Sequence, residues 1–64
     1  MLLIELSYAG TGGGTRYVNA DTIKYFYFND NHNQTMIVFQ DDKGIIVNNT
    51  VEEVKEQIQA AKRY

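Results

Sequence analysis

Two neighbouring segments, Ile23–Phe28 and Thr35–Gln40, carry bulky apolar side chains on both faces, and this property limits what the rest of the chain can do. Alternation with a period of two is the mark of a strand. The first segment puts Ile23, Tyr25 and Tyr27 on one side and Lys24, Phe26 and Phe28 on the other; the second sets Met36 and Val38 against Ile37 and Phe39. Ile, Val and aromatic residues suit a pleated surface. Strands that are apolar on both faces need cover on both. A chain of 64 residues forms one small domain, residues 1–64, with little material to supply it.

The remaining elements are short. Leu2, Ile4, Leu6 and Tyr8 alternate with Leu3, Glu5 and Ser7, which reads as a first strand. Ala9–Thr15 is rich in glycine and reads as a loop, and Arg16–Asn19 resumes as a second short strand. Asn19 and Asp21 favour a turn before Ile23, because their side chains can bond nearby backbone N–H groups. The polar cluster Asn29–Asn33 reads as a hairpin loop. Asp41-Asp42-Lys43-Gly44 reads as a second turn in which Gly44 is expected to supply a positive φ, leading to a last strand at Ile45–Val47. Thr50 lies three residues before Glu53, the spacing of a capping box. The helix that follows has an apolar stripe at Val51, Val54, Ile58 and Ala61, with Gln57, Gln59 and Lys62 expected in water. Glu52 and Glu53 near its start, and Lys62 and Arg63 near its end, complement its dipole. The expected fold is α+β: a small antiparallel β-sheet of four to five strands followed by one C-terminal α-helix.

One helix, about 21 Å long at about 1.5 Å per residue, covers one face of such a sheet. The other face would then expose Tyr, Phe, Met or Val as a contiguous patch, and patches of that kind mark interfaces. The arithmetic predicts a homo-oligomer, most simply a two-fold dimer.

Composition narrows the function classes. Six Lys and Arg against eight Asp and Glu give a net charge of -2, which removes the electrostatic drive for non-specific nucleic-acid binding. Nucleic acid is therefore not expected as a partner. The chain has no cysteine, so disulfides, thiolate nucleophiles and thiolate zinc sites are excluded. Its longest apolar run, Met1–Ile4, falls far short of the roughly 20 residues of a membrane span, and the start of the chain lacks the pattern of a secretory leader. No membrane insertion and a cytoplasmic location are the expectations.

The motifs that could carry chemistry are incomplete. The Gly10–Gly14 run offers backbone N–H groups to an anion, but the following Thr15-Arg16-Tyr17 is neither the Lys-Ser/Thr pair nor the helix start of a P-loop. Asn29, Asn31 and Asn33 alternate like a calcium loop, yet Gln34 and Gln40 stand where the glycine and bidentate glutamate belong. His32 and Asp30 could give two metal ligands, with nothing elsewhere to complete the shell. Ser7, the single serine, lies within a strand. Asp41 and Asp42 suit a turn, and Glu52, Glu53 and Glu56 a solvated helix face. The run Tyr25-Phe26-Tyr27-Phe28 could stack bases, but with only Arg16 and Lys24 nearby it reads as core and interface. Two glycosylation sequons, at Asn33 and Asn48, have no secretory context. No catalytic residue, cofactor or metal site is expected. The candidate interaction residues are Gly12, Gly13, Arg16, Tyr25, Tyr27, Asp30 and His32.

The stretch Tyr17-Val18-Asn19-Ala20-Asp21-Thr22-Ile23, an apolar hairpin closed by Gly44, then Ile46-Val47 and Thr50-Val51-Glu52-Glu53-Val54, resembles the small FlbD-type proteins of flagellar and swarming motility, and short phage proteins of similar kind. The likeness runs from about Tyr17 to Ile58. The glycine run before it and the polar Asn29–Asn33 segment depart from the pattern. The resemblance implies a small cytoplasmic accessory protein that acts through protein contacts, and it carries over no catalytic residue; taken with the strand pattern, it gives as expected partners a second copy of the chain and a larger host or motility protein. The expected function is a non-enzymatic, self-associating protein–protein interaction module, accessory or regulatory in role. The alternative is a phage-encoded inhibitor of a host defence system that masks a host protein or sequesters a small nucleotide-like ligand between subunits, with the glycine loop as lid.

Overall fold

A computed structural model of the chain describes residues 2–62. Five strands precede one helix: β1 Leu3–Ser7, β2 Thr15–Asn19, β3 Ile23–Asn29, β4 Gln34–Phe39, β5 Gly44–Val47 and α1 Val51–Lys62, with a 3-10 turn at Ala20–Thr22. The α+β class and the five-strands-then-helix order agree with the alternation in the sequence. The strands divide into a β1-β2 ribbon and a β3-β4-β5 sheet, every pairing antiparallel. An isolated bridge between Tyr8 and Val47 joins the two. Tyr8, the residue after β1, thus lies in one row with Val47 of β5, Thr35 of β4 and Phe28 of β3.

The core consists of Ile4 and Leu6 from β1, Ile37 from β4, Val47 from β5 and Val54 from α1, with Val18, Ile23, Phe26, Phe39, Ile45 and Ile58 around it. Burial of such side chains supplies roughly 1.5–3 kcal/mol each. The inner face of the three-stranded sheet is covered by β1 as well as by α1, which packs against β1 and touches β3. Among the described residues no buried side-chain nitrogen or oxygen lacks a hydrogen-bond partner.

Several local features differ from expectation. The alternation in β3 breaks at Lys24: Ile23 pairs with Phe39 and Tyr25 with Val38, so Lys24 is an extra residue in a bulge. Ile23 therefore turns inward with Phe26 and packs against the core instead of sharing the face of Tyr25 and Tyr27. In the second turn the positive φ belongs to Asp42 (67°), and Asn33 (53°) takes the corresponding place in the first. Gly44 is instead the first residue of β5, where an added Cβ would lie 3.2 Å from Met36 Sδ and 3.3 Å from the Ile37 carbonyl oxygen. Close approach of the strands is its role. The capping box forms as expected, with the Thr50 N–H donating to Glu53 Oε1 at 2.9 Å and the Glu53 N–H to Thr50 Oγ1 at 3.1 Å. Arg63, assigned to the end of the helix dipole, lies outside the described residues.

Gln57 does not simply face water. Its Oε1 accepts the Glu5 N–H at 3.1 Å, and its Nε2 donates to the Glu5 carbonyl oxygen. Gln57 stands three residues after Val54 and four before Ala61, which places it on the inward stripe at helical spacing.

Candidate functional site

Alternation of an antiparallel ladder decides which backbone groups each strand spends and which it leaves free. In the ribbon the Tyr8 N–H donates to the Gly14 carbonyl at 2.8 Å and the Ala20 N–H to the Leu2 carbonyl at 2.6 Å. Leu6 and Ile4 therefore bond β2, while Leu3, Glu5 and Ser7 point to the other edge of β1. From Glu5 to Ser7 that edge is occupied by two side chains and one backbone N–H. Gln57 holds both backbone groups of Glu5, Asn49 Oδ1 accepts the Ser7 N–H at 2.7 Å, and the Asn48 N–H donates to the Ser7 carbonyl at 2.7 Å. A strand edge that would otherwise offer itself to another chain is closed.

The edge of β3 is different. The Phe39 N–H donates to the Lys43 carbonyl at 2.8 Å, and the Gln40 N–H to the Thr22 carbonyl at 2.8 Å. Phe39, Ile37 and Thr35 thus face β5, whereas Gln40, Val38 and Met36 face β3. Their partners Tyr25 and Tyr27 spend their N–H and C=O groups on β4. Those of Phe26 and Phe28 point away from β4, and among the described residues no backbone group bonds them.

The outer face of the same sheet carries two of the exposed aromatics, Tyr25 and Tyr27, while Tyr17, 63% exposed, lies on β2 of the ribbon. Tyr25 is 51% and Tyr27 43% exposed, with ring centroids 6.0 Å apart. Tyr25 stands opposite Val38 and Tyr27 opposite Met36, and Met36 in turn opposite Ile46. The helix and the β1 core residues lie on the other side. Phe28, at the end of β3, is 47% exposed. The result is an apolar strip running from the outer edge across three strands.

The remaining candidate residues fall into two groups. Gly12 and Gly13, with φ of 89° and 55°, lie in the β1–β2 loop, and Arg16 follows in β2 with its guanidinium 4.5 Å from the centroid of the Tyr8 ring. That ring lies against Gly10, where an added Cβ would come within 2.3 Å of it. Tyr8 is therefore in contact with both Gly10 and Arg16, the latter a cation–π contact. Asp30 and His32 lie in the β3–β4 turn and are exposed; there the Asn31 N–H donates to Asn29 Oδ1 at 3.0 Å and the His32 N–H to the Asn29 carbonyl at 3.3 Å. The fold thus gathers Tyr25, Tyr27, Asp30 and His32 on β3 and its turn, and holds Gly12, Gly13 and Arg16 on the ribbon.

Comparison with protein-family models, curated proteins and solved structures yields no match.

A cavity of about 510 Å³ opens between Thr22, Phe39, Gln40, Asp41, Lys43 and Ile45. A second, about 350 Å³, lies between Ile23, Lys24 and Tyr25 of β3 and Ile58 and Lys62 of α1, and a third, about 240 Å³, beside Gln57 and Asn49. The glycine run lines none of these three. Among the described residues no three His, Asp or Glu side chains converge as a metal site, and no helix is long and apolar enough to cross a membrane. The residues missed in the sequence are Asn49 and Gln57, which close the edge of β1, and Phe26 and Phe28, whose backbones form the open edge. Strand parity together with the helical period of Gln57 contains that signal.

Proposed function

We propose that this chain is a non-enzymatic protein–protein interaction module that self-associates and serves as an accessory or regulatory factor for a larger protein. The observation that carries the reading is the uncovered outer face of the β3-β4-β5 sheet, where Tyr25 and Tyr27 stand in cross-strand register with Val38, Met36 and Ile46. Tyrosine supplies large, rigid contact area at low entropic cost and keeps a polar tip for the unassociated state. The side opposite is already filled by β1 and α1, so association through the outer face requires no unfolding. The net charge of -2 is small enough to leave the approach of two copies nearly unopposed. The resemblance to small motility accessory proteins points to the same class of activity.

Dilution followed by amide NMR tests this reading. The amide signals of Tyr25, Tyr27, Met36, Val38 and Ile46 are expected to shift as the protein is diluted, while those of the exposed α1 residues Glu52, Lys55 and Gln59 stay in place. Shifts confined to α1, or spectra independent of concentration, would contradict it.

A further inference from the structure

The molecule treats its strand edges unequally. The second edge of β1 is closed by Gln57, Asn49 and Asn48. On the open side of β2 the Asn19 carbonyl is already taken by the Thr22 hydroxyl at 2.7 Å, leaving a short free stretch. On β3, beyond the bulge at Lys24, a regular edge runs from Tyr25 to Asn29 with the backbone groups of Phe26 and Phe28 unspent among the described residues. Natural edges are usually interrupted by charge, proline or extreme shortness. Past the bulge the segment Tyr25-Phe26-Tyr27-Phe28 has none of these.

We infer that the β3 edge pairs antiparallel with β3 of a second copy, about a two-fold axis at Tyr27, to make a continuous six-stranded sheet. This rests on the self-association reading but places the contact along the β3 edge, where the outer-face tyrosines of the two copies meet. With Tyr27 at the axis, Phe26 of each copy meets Phe28 of the other as a hydrogen-bonded pair. Those four residues are the ones whose backbone groups point away from β4, and the two pairs spend both N–H and both C=O groups of each copy. The same register sets Tyr27 against its own counterpart on the outer face, and Tyr25 against Asn29. It also brings Lys24 opposite Asp30 of the other copy, the residue that begins the β3–β4 turn. Opposite charges therefore meet at both ends of the paired strands. Lys24, now 2.8 Å from Asp42, would sit between two carboxylates. A register centred on Phe26 loses this match and requires the bulged Lys24 to enter the ladder. Charge complementarity and ladder parity agree on one register, and this argues for a second copy as the occupant.

A chain without cysteine allows a direct test by single-cysteine cross-linking, alongside sedimentation of each variant. Residues facing each other at a non-hydrogen-bonded antiparallel site have Cα atoms about 4.5 Å apart, within the range of a disulfide. Tyr27→Cys is expected to oxidise readily to a covalent dimer. Tyr25→Cys, on the same exposed face, would lie roughly 14 Å from its counterpart at about 3.4 Å per residue, and is expected to stay reduced. A second measurement leaves Tyr27 unchanged: Lys24→Glu and Asp30→Lys are each expected to weaken association, and the double variant to restore it. If the protein dimerises but both cysteines cross-link equally, or neither does, β3 pairing is overturned and self-association stands. Single charge reversals without effect would likewise overturn the register. A wild-type chain that stays monomeric at all concentrations would overturn both.

Discussion

Single residues of this protein do work that side-chain class alone does not announce. Gln57 is a polar residue on a surface helix, yet it satisfies both backbone groups of Glu5 and so ties α1 to β1. Its neighbour in the chain of glutamines, Gln59, is exposed. Gln57→Ala is expected to cost about 1 kcal/mol, the net worth of ordinary hydrogen bonds whose groups can turn to water, while Gln59→Ala should stay within about 0.5 kcal/mol; urea unfolding distinguishes the two. Helical spacing places Gln57 on the inward stripe, whereas residue polarity argues for water, and here tertiary contact decides. Gly44 and Asp42 offer the complementary lesson. Glycine is the usual choice for a positive φ, but Asp42 adopts one, since a short polar side chain tolerates the left-handed region. Gly44 is needed where Met36 and the Ile37 carbonyl crowd its Cα. Local sequence carries no trace of that crowding, because it comes from a neighbouring strand.

At the scale of elements, alternation and capping carried most of the information. The five strands and the helix lie within one or two residues of where the period of two, the polar clusters and the Thr50/Glu53 pair place them. Fraying of element ends accounts for differences of that size. The bulge at Lys24 was not legible, because the apolar pattern of Ile23–Phe28 continues through it without a break. Its effect is to turn Ile23 inward and to free the outer face for Tyr25 and Tyr27. For α1 the inward stripe is anchored by Val54, which is fully buried. Val54→Ala is expected to cost roughly 1–4 kcal/mol through lost burial and a residual cavity, against a negligible cost for Lys62→Ala on the exposed side. Calorimetry that ranked these in the opposite order would contradict the packing of the helix. Thr50→Ala, which removes the acceptor for the Glu53 N–H, is expected to cost about 1 kcal/mol and to lower helicity at the N-terminal turn.

For the whole molecule the decisive quantity is how much apolar surface so short a chain can cover. Strand and helix patterning alone gives that task to the helix, whereas in the structure β1 shares it, with Ile4 and Leu6 in one buried cluster with Ile37, Val47 and Val54. The inner face is therefore well filled, and part of the surplus, Tyr25 and Tyr27, lies on the outer one, while Leu3 and Tyr17 are exposed on the ribbon. That surplus was legible, since strands with bulky residues on both faces cannot hide both. Which of the two faces would be bare depended on the path of β1 between the ribbon and the sheet, a long-range feature of the kind local patterns do not encode. The proximity of Tyr25, Tyr27, Asp30 and His32 on β3 and its turn follows from sequence neighbourhood, whereas the backbone edge beside them follows only from the ladder. Sedimentation equilibrium over a wide range of concentrations tests the central claim most directly. The account predicts that the apparent mass rises from 7.4 kDa toward twice that value, and that a Tyr25→Ser/Tyr27→Ser variant remains at the lower value with its fold intact. A wild-type mass that stays at that of a single chain throughout would contradict it.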